Sequence, residues 1–117
     1  MHEFSIVSSL MNLIEDYARQ YGAKKVTKVV VAVGRLSGIE PDLLQLAFDT
    51  FKEKTICEEA ELVIEMEDLK IQCRDCGKTS TMGEKLSRKC PNCGSLNTEI
   101  IGGQELYLKS LEMESDD

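Results

Sequence analysis

Apolar residues near the start of the chain recur at intervals of three and four positions. This spacing predicts an amphipathic helix over residues 3–21, with Gly22 as its C-terminal stop. Pro41 suits the first position of a helix, and the apolar positions after it predict a second helix that runs to about Lys54. Each helix has one apolar face, so we expect both to cover the same side of a small sheet.

Three other segments have the composition or the alternation of β-strands. Residues 25–33 are rich in β-branched side chains, residues 60–67 alternate apolar with acidic positions, and residues 105–112 alternate in part. The simplest architecture pairs the second and third of these strands in one sheet. The expected fold class is therefore α+β, with a three-stranded sheet and two helices on one face. The acidic residues 114–117 are expected to be disordered.

Four cysteines form two CxxC pairs, each followed by a glycine, and thirteen residues separate the pairs; they are Cys73, Cys76, Cys90 and Cys93. Each CxxC makes a tight turn that directs two sulfurs at one centre, so two turns can surround a tetrahedral ion. Zinc fits such a closed, redox-silent site, and iron is the weaker alternative. A thioredoxin-like redox pair is a poorer fit, because that motif lies where a strand meets a helix.

This pattern predicts a zinc-ribbon domain over residues 70–101, inserted into an α/β domain formed by residues 1–69 and 102–117. The ribbon is too small to fold on its own apolar core, so metal binding would stabilise it. Four protein ligands leave no open position for water or substrate, which argues against zinc-dependent catalysis. The fifth cysteine, Cys57, is expected to be a half-buried thiol rather than a ligand.

Composition narrows the functional class. The 117 residues carry a net charge of -7, yet the segment from Cys73 to Cys93 is +3 and the remainder -10. Five cysteines, four of them in metal-type pairs, indicate reduced thiols and hence the cytoplasm. No apolar run reaches the roughly 20 residues of a membrane span, and the N-terminus does not have the pattern of a signal peptide.

The chain begins Met1-His2-Glu3, and His2 is its only histidine. One interpretation is a polar helix start, in which Glu3 interacts favourably with the helix dipole. The other is a metal site: the amine of Met1, the backbone nitrogen of His2 and its imidazole can form two fused chelate rings. These nitrogen donors suit Ni(II) or Cu(II), and carboxylates such as Glu3 could complete a site of higher coordination. Composition by itself favours the polar helix start.

Taken together, these features resemble the HypA/HybF family of hydrogenase-maturation nickel metallochaperones. The resemblance covers essentially the whole chain and rests on four segments, which read MHEFS, VVVAVGRLSGIEP, the two CxxCG motifs and GGQELYLKSLEME. The resemblance favours the metal site at His2 over the polar helix start. By resemblance, His2 and Glu3 form the nickel site, and Met1 contributes its amine or exposes the next backbone nitrogen. Glu40 matches an acidic position near the nickel site in some relatives, and the four paired cysteines bind zinc.

The resemblance implies nickel delivery rather than catalysis. Members of this family work with the GTPase HypB, pass nickel to the large subunit of [NiFe]-hydrogenase and, in some bacteria, serve urease maturation. The ribbon here has no histidine beside its cysteines, unlike some relatives, which puts histidine-based communication between the two metal sites in doubt.

Two other functional classes compete with the nickel carrier. The +3 ribbon could belong to a small nucleic-acid-binding regulator, but the overall acidity and the lack of aromatic residues within the ribbon argue against it. A zinc-dependent enzyme is disfavoured too, because the one histidine lies at residue 2 and no Ser–His–Asp set is possible elsewhere.

Overall fold

A computed structural model describes residues 2–83 and 86–115. The described elements are α1 (His2–Gln20), β1 (Lys25–Gly34), α2 (Pro41–Phe51), β2 (Glu61–Glu67), β3 (Leu69–Cys73), β4 (Thr79–Met82), β5 (Thr98–Gly102) and β6 (Leu106–Glu114). Two compact units result. The first comprises Met1–Ala32, Ile39–Glu65 and Tyr107–Asp117, and the second comprises Val33–Gly38 and Met66–Leu106. The domain limits expected from the sequence stay a prediction.

Helix α1 ends as its sequence predicts. Gly22 adopts a positive φ of 66°, its N–H donates to the carbonyl of Arg19, and the next N–H, from Ala23, donates to the carbonyl of Ala18 at 2.8 Å. These two bonds form a Schellman motif, which satisfies carbonyls that have no partner within the helix. A side chain with a Cβ would be strained at this φ, so glycine is the residue that allows the chain to turn here.

Helix α2 begins at Pro41 as expected but stops at Phe51, three residues before the expected end at Lys54. The chain leaves the helical path because other groups satisfy its terminal backbone atoms. The Thr55 hydroxyl donates to the carbonyl of Lys52, and the Glu58 carboxylate accepts the N–H of Lys54. Lys54 itself has a left-handed φ of 63°, which ends helical geometry.

The first sheet confirms the α+β class but corrects the expected pairing. Its strand order is β2-β1-β6, so the strands near residues 60–67 and 105–112 lie on opposite sides of β1 and do not pair with each other. The physical reason is burial. Every residue of β1 from Val29 onward is buried, as is typical of a central strand covered on both faces. The two flanking strands are only partly buried and suit edge positions.

The core of the first unit joins this central strand to both helices. Fully buried side chains from all three elements lie within it: Val7 and Ile14 of α1, Leu44 and Phe48 of α2, Val29 and Val31 of β1. Burial of such side chains stabilises the fold by roughly 1.5–3 kcal/mol each. Strand β6 also runs further than expected. The carbonyl of Glu114 accepts the N–H of Lys24 at 2.9 Å, so the expectation of disorder is wrong at Glu114, and Asp116 and Asp117 lie outside the described residues.

The second unit contains a sheet that the sequence analysis missed. Strands β4, β3 and β5 pair antiparallel with β3 in the centre. Within β3, Leu69, Ile71 and Cys73 are buried while the two residues between them are exposed. The sequence shows this alternation, but the prediction assigned the segment to the zinc ribbon and named no strand within it.

Gly34 and Gly103 make a close backbone contact within the second unit. A Cβ at Gly34 would lie 2.3 Å from the carbonyl carbon and oxygen of Gly103, and both neighbouring strand ends are held by hydrogen bonds. We expect Gly34→Ala to lower the free energy of unfolding by at least about 2 kcal/mol, because backbone must move to admit the methyl group.

The control is Gly83→Ala in the same unit, where an added Cβ meets no atom within 4 Å. Its free energy of unfolding should change by no more than about 0.5 kcal/mol. Urea-induced unfolding followed by circular dichroism measures both. Equal midpoints for the two variants would contradict the close contact.

Candidate metal sites

The two CxxCG segments fold into matching turns. The N–H of Gly77 donates to the carbonyl of Cys73 at 3.0 Å, and the N–H of Gly94 donates to the carbonyl of Cys90 at 2.8 Å. Both glycines have positive φ, 78° and 77°. Such a φ lets the chain reverse immediately after the second cysteine, so each turn presents both of its sulfurs on the same side.

Each turn is closed by one more backbone bond. The N–H of Cys73 donates to the carbonyl of Lys78, and the N–H of Cys90 donates to the carbonyl of Ser95, both at 2.9 Å. The first turn grows out of β3, since Cys73 is the last residue of that strand and pairs with Thr98 of β5. Regular secondary structure therefore holds the first cysteine pair in place.

The four sulfurs converge on one point. All lie within 4.8 Å of one another; Cys73 and Cys93 are 3.6 Å apart, and Cys76 and Cys90 are 3.7 Å apart. A tetrahedron of sulfurs with metal–sulfur bonds of about 2.3 Å has edges of about 3.8 Å. These distances are well beyond the ~2.05 Å of a disulfide. The cluster that the CxxC spacing predicts is thus assembled, and it could hold a metal ion such as zinc.

The environment of the cluster favours the thiolate form at Cys76 but not at Cys93, whose pKa is raised to about 12, against the backbone N–H of Ser95, by Cys73 and by burial. Cys73 and Cys90 are buried, whereas Cys76 and Cys93 are exposed. Hydrogen bonds from the backbone N–H of Lys78 and the Asn92 side chain lower the pKa of Cys76 to about 6. The Asn92 amide nitrogen lies 3.5 Å from that sulfur. An ionised sulfur is the form that binds a metal.

A network of polar side chains ties the two turns together. Ser95 and Asn97 both donate to the carboxylate of Asp75, the latter at 3.1 Å, and these bonds lower the pKa of the Asp75 carboxyl. Buried Thr98 donates to the carbonyl of Arg88, whose guanidinium in turn donates to the carbonyl of Thr98. Sequence analysis did not identify these positioning residues; Asp75, inside the first CxxC, was the available signal.

Cys57 lies apart from the cluster, in the first unit. Cys57 is fully buried, at 0% exposure, whereas the sequence analysis expected a half-buried thiol. Burial, with a contribution from the charge of Glu15, raises the pKa of Cys57 to about 11 despite the opposing charge of Lys52. The neutral thiol packs as a small apolar side chain because the turn after α2 folds back onto the core.

The expected nickel residues lie at the start of α1. His2 is the first helical residue, while its side chain and the whole of Met1 lie outside the described residues. Glu3 is only 8% exposed, and its Oε2 accepts the backbone N–H of Glu40 at 3.0 Å. Glu40 is exposed and occupies the N-cap of α2. The fold therefore brings together two of the expected site residues that are 37 positions apart in the chain.

A family model for HypA, described as a hydrogenase/urease nickel incorporation metallochaperone, matches residues 1–113. The chain belongs to the HypA family. A hydrogenase maturation factor HypA of Aquifex aeolicus is 65% identical over 116 residues, covering 99% of this chain and 100% of the relative. The Wolinella succinogenes factor of the same name is 49% identical over the full chain and covers 98% of that relative.

Solved structures in the same family share the fold. The solution structure of the Ni metallochaperone HypA from Helicobacter pylori has a TM-score of 0.76 at 36% identity, covering 97% of this chain and 98% of that one. A second solution structure of a HypA protein has a TM-score of 0.77 at 38% identity, covering 99% and 98%. These matches confirm the family expected from the sequence and give no support to a nucleic-acid-binding regulator. Across the described residues, no helix has the length and apolar character needed to cross a membrane.

Removal of one cluster cysteine should abolish metal retention. We expect Cys90→Ala to lose the metal bound by the four sulfurs, because three remaining ligands leave an open coordination position. The matched variant Cys57→Ala should keep it, since Cys57 lies in the other unit. Elemental analysis after gel filtration gives the metal content per chain. Equal metal content in both variants would contradict the assignment of the four cysteines.

Proposed function

We propose that this chain is a nickel metallochaperone for hydrogenase maturation that carries Ni(II) as cargo at the start of α1. The family match across residues 1–113 supports this function more strongly than any other observation. The contact between Glu3 and Glu40 adds local support, because it joins two of the acidic residues expected at the nickel site. The family's description names nickel incorporation and a metallochaperone, which supports transfer of a metal as the role of this chain.

The nickel site would use nitrogen donors from the first two residues. The amine of Met1, the backbone nitrogen of His2 and the His2 imidazole suit Ni(II) in a planar arrangement. Glu3 and Glu40 would supply the acidic side chains of the same site, as ligands or as groups that position the donors. With a single histidine and few anchoring groups, nickel would bind reversibly, as a cargo must.

The four-cysteine cluster would hold a structural Zn(II). Its sulfur distances suit tetrahedral coordination, and four protein ligands complete the shell of the ion. Zinc there would stabilise the second unit. The ion would have no open coordination position for water or substrate. The two metals thus have separate tasks, one resident and one delivered.

The proposed partners are the GTPase HypB and the large subunit of [NiFe]-hydrogenase, in the cytoplasm, with urease maturation proteins as a further destination for nickel. The basic character of the cysteine segment supports contact with an acidic protein surface. Lys78 and Lys89 are both exposed there, while the chain as a whole is acidic.

Nickel binding should depend on His2 and on a free N-terminal amine. Titrated with Ni(II), untagged protein should bind one equivalent at the N-terminus. Both His2→Ala and a one-residue N-terminal extension should weaken that binding by at least about 100-fold, because each removes a chelating nitrogen. Isothermal titration calorimetry measures the affinity.

The control carries the same extra residue at its C-terminus and should bind as the untagged protein does. Elemental analysis of each variant should show equal zinc, which separates loss of nickel from loss of the fold. Unchanged nickel affinity in both N-terminal variants would exclude the proposed site.

Charge should govern the rate at which the chain meets its maturation partner. We expect the association rate with HypB to fall about tenfold between 50 and 300 mM salt, because screening weakens attraction between exposed charges. Lys78→Ala should lower the rate at low salt, whereas Arg19→Ala in the first unit should leave it unchanged. Stopped-flow or surface-plasmon measurements supply the rates. A rate independent of salt would contradict electrostatic steering.

A further inference from the structure

Helix α2 lacks part of the usual N-terminal capping from its own sequence. Glu40 is the N-cap, with extended backbone angles of φ -87° and ψ 115°, and its carbonyl accepts the N–H of Leu44. Its own side chain makes no capping hydrogen bond. In a capping box, an acidic or amide side chain at the third helical position accepts the N-cap N–H. That position here is Leu43, which has no acceptor.

Glu3 supplies the missing acceptor from the other helix. Its Oε2 lies 3.0 Å from the Glu40 nitrogen, and Glu3 is buried, with 8% of its surface exposed. A carboxylate that accepts a backbone N–H in a sheltered place forms one of the stronger hydrogen bonds in a protein. We propose that Glu3 is a positioning residue, which fixes the first turn of α1 to the N-cap of α2, and not a nickel ligand.

A second contact holds the same turn to the other end of α2. The rings of Phe4 and Phe51 are 5.6 Å apart at 61°, an edge-to-face arrangement. Successive residues of α1 thus contact the residue before α2 and the last residue of α2. The backbone nitrogen of His2, one position earlier in α1, belongs to the same helical turn, so these contacts would fix that donor before nickel arrives.

This division of roles rests on the proposed nickel site. If Glu3 Oε2 bound nickel directly, the Glu40 N–H would have to share that oxygen with the ion or move to Oε1, which would weaken or rearrange the bond that holds the turn. The carboxylate of Glu40 is exposed and makes no capping bond, so it is the acidic group available to nickel. Glu3 and Glu40 therefore act in different ways, although they are neighbours.

Glu3→Gln and Glu3→Ala separate positioning from ligation. The glutamine keeps an acceptor oxygen but loses the charge, and alanine loses both. In metal-free protein, we expect hydrogen exchange at the Glu40 amide to be at least about tenfold faster in Glu3→Ala and within a few-fold of wild type in Glu3→Gln. Glu53→Ala, at an exposed position after α2, is the control and should not change that rate.

Nickel binding gives the second readout. Glu3→Gln should keep the wild-type visible absorption spectrum of bound Ni(II) and an affinity within about threefold, because the hydrogen bond survives. Glu3→Ala should keep the spectrum and lose about tenfold in affinity. A changed spectrum in Glu3→Gln would identify Glu3 as a ligand and overturn the proposal, as would an unchanged Glu40 exchange rate in Glu3→Ala.

His2→Ala distinguishes this proposal from the function it rests on. Wild-type nickel affinity in His2→Ala would remove the N-terminal nickel site itself, and with it any role of Glu3 in nickel binding. Lost affinity in His2→Ala together with an altered Glu3→Gln spectrum would keep the nickel site and reject only the positioning role.

Discussion

Four sulfur atoms within 4.8 Å of one another impose the strictest constraint on this chain. As thiolates they would repel strongly at separations of 3.6 and 3.7 Å, and a cation at the centre would offset that repulsion. Other residues of the second unit hold the four sulfurs in this arrangement. Two glycines reverse the chain, β3 supports the first turn, and Asp75 links the turns through Ser95 and Asn97. A segment this short buries too little apolar surface to fold securely without such a centre.

The first unit follows a different physical logic. Its stability comes from apolar burial between the central strand and two helices, and its fifth cysteine is absorbed into that core as a neutral thiol. The proposed nickel site lies at the edge of this packed region, at the first turn of α1. A rigid support beneath a sparse set of ligands suits a carrier, because preorganised donors capture the ion while few bonds must break at release.

Local signals in the sequence were sufficient for much of the fold and for the cysteine site. The end of α1 at Gly22 and the start of α2 at Pro41 followed from residues with restricted backbone preferences, and the CxxCG spacing predicted the cluster. The predicted pairing of the strands near residues 60–67 and 105–112 was wrong, because it rested on the simplest connection between them. The continuous burial of β1 from Val29 onward, which makes it central, depends on both faces being covered.

The sequence by itself therefore determined the four cysteines of the metal cluster, the helix limits near glycine and proline, and the HypA family. Tertiary structure alone decided which distant groups meet: β1 between β2 and β6, Cys57 in full burial, and Glu3 on the backbone N–H of Glu40. The physical reason is the range of the interactions. Turn geometry and ligand spacing act over a few residues, whereas strand order and a hydrogen bond across 37 positions arise only when the core brings separate elements together.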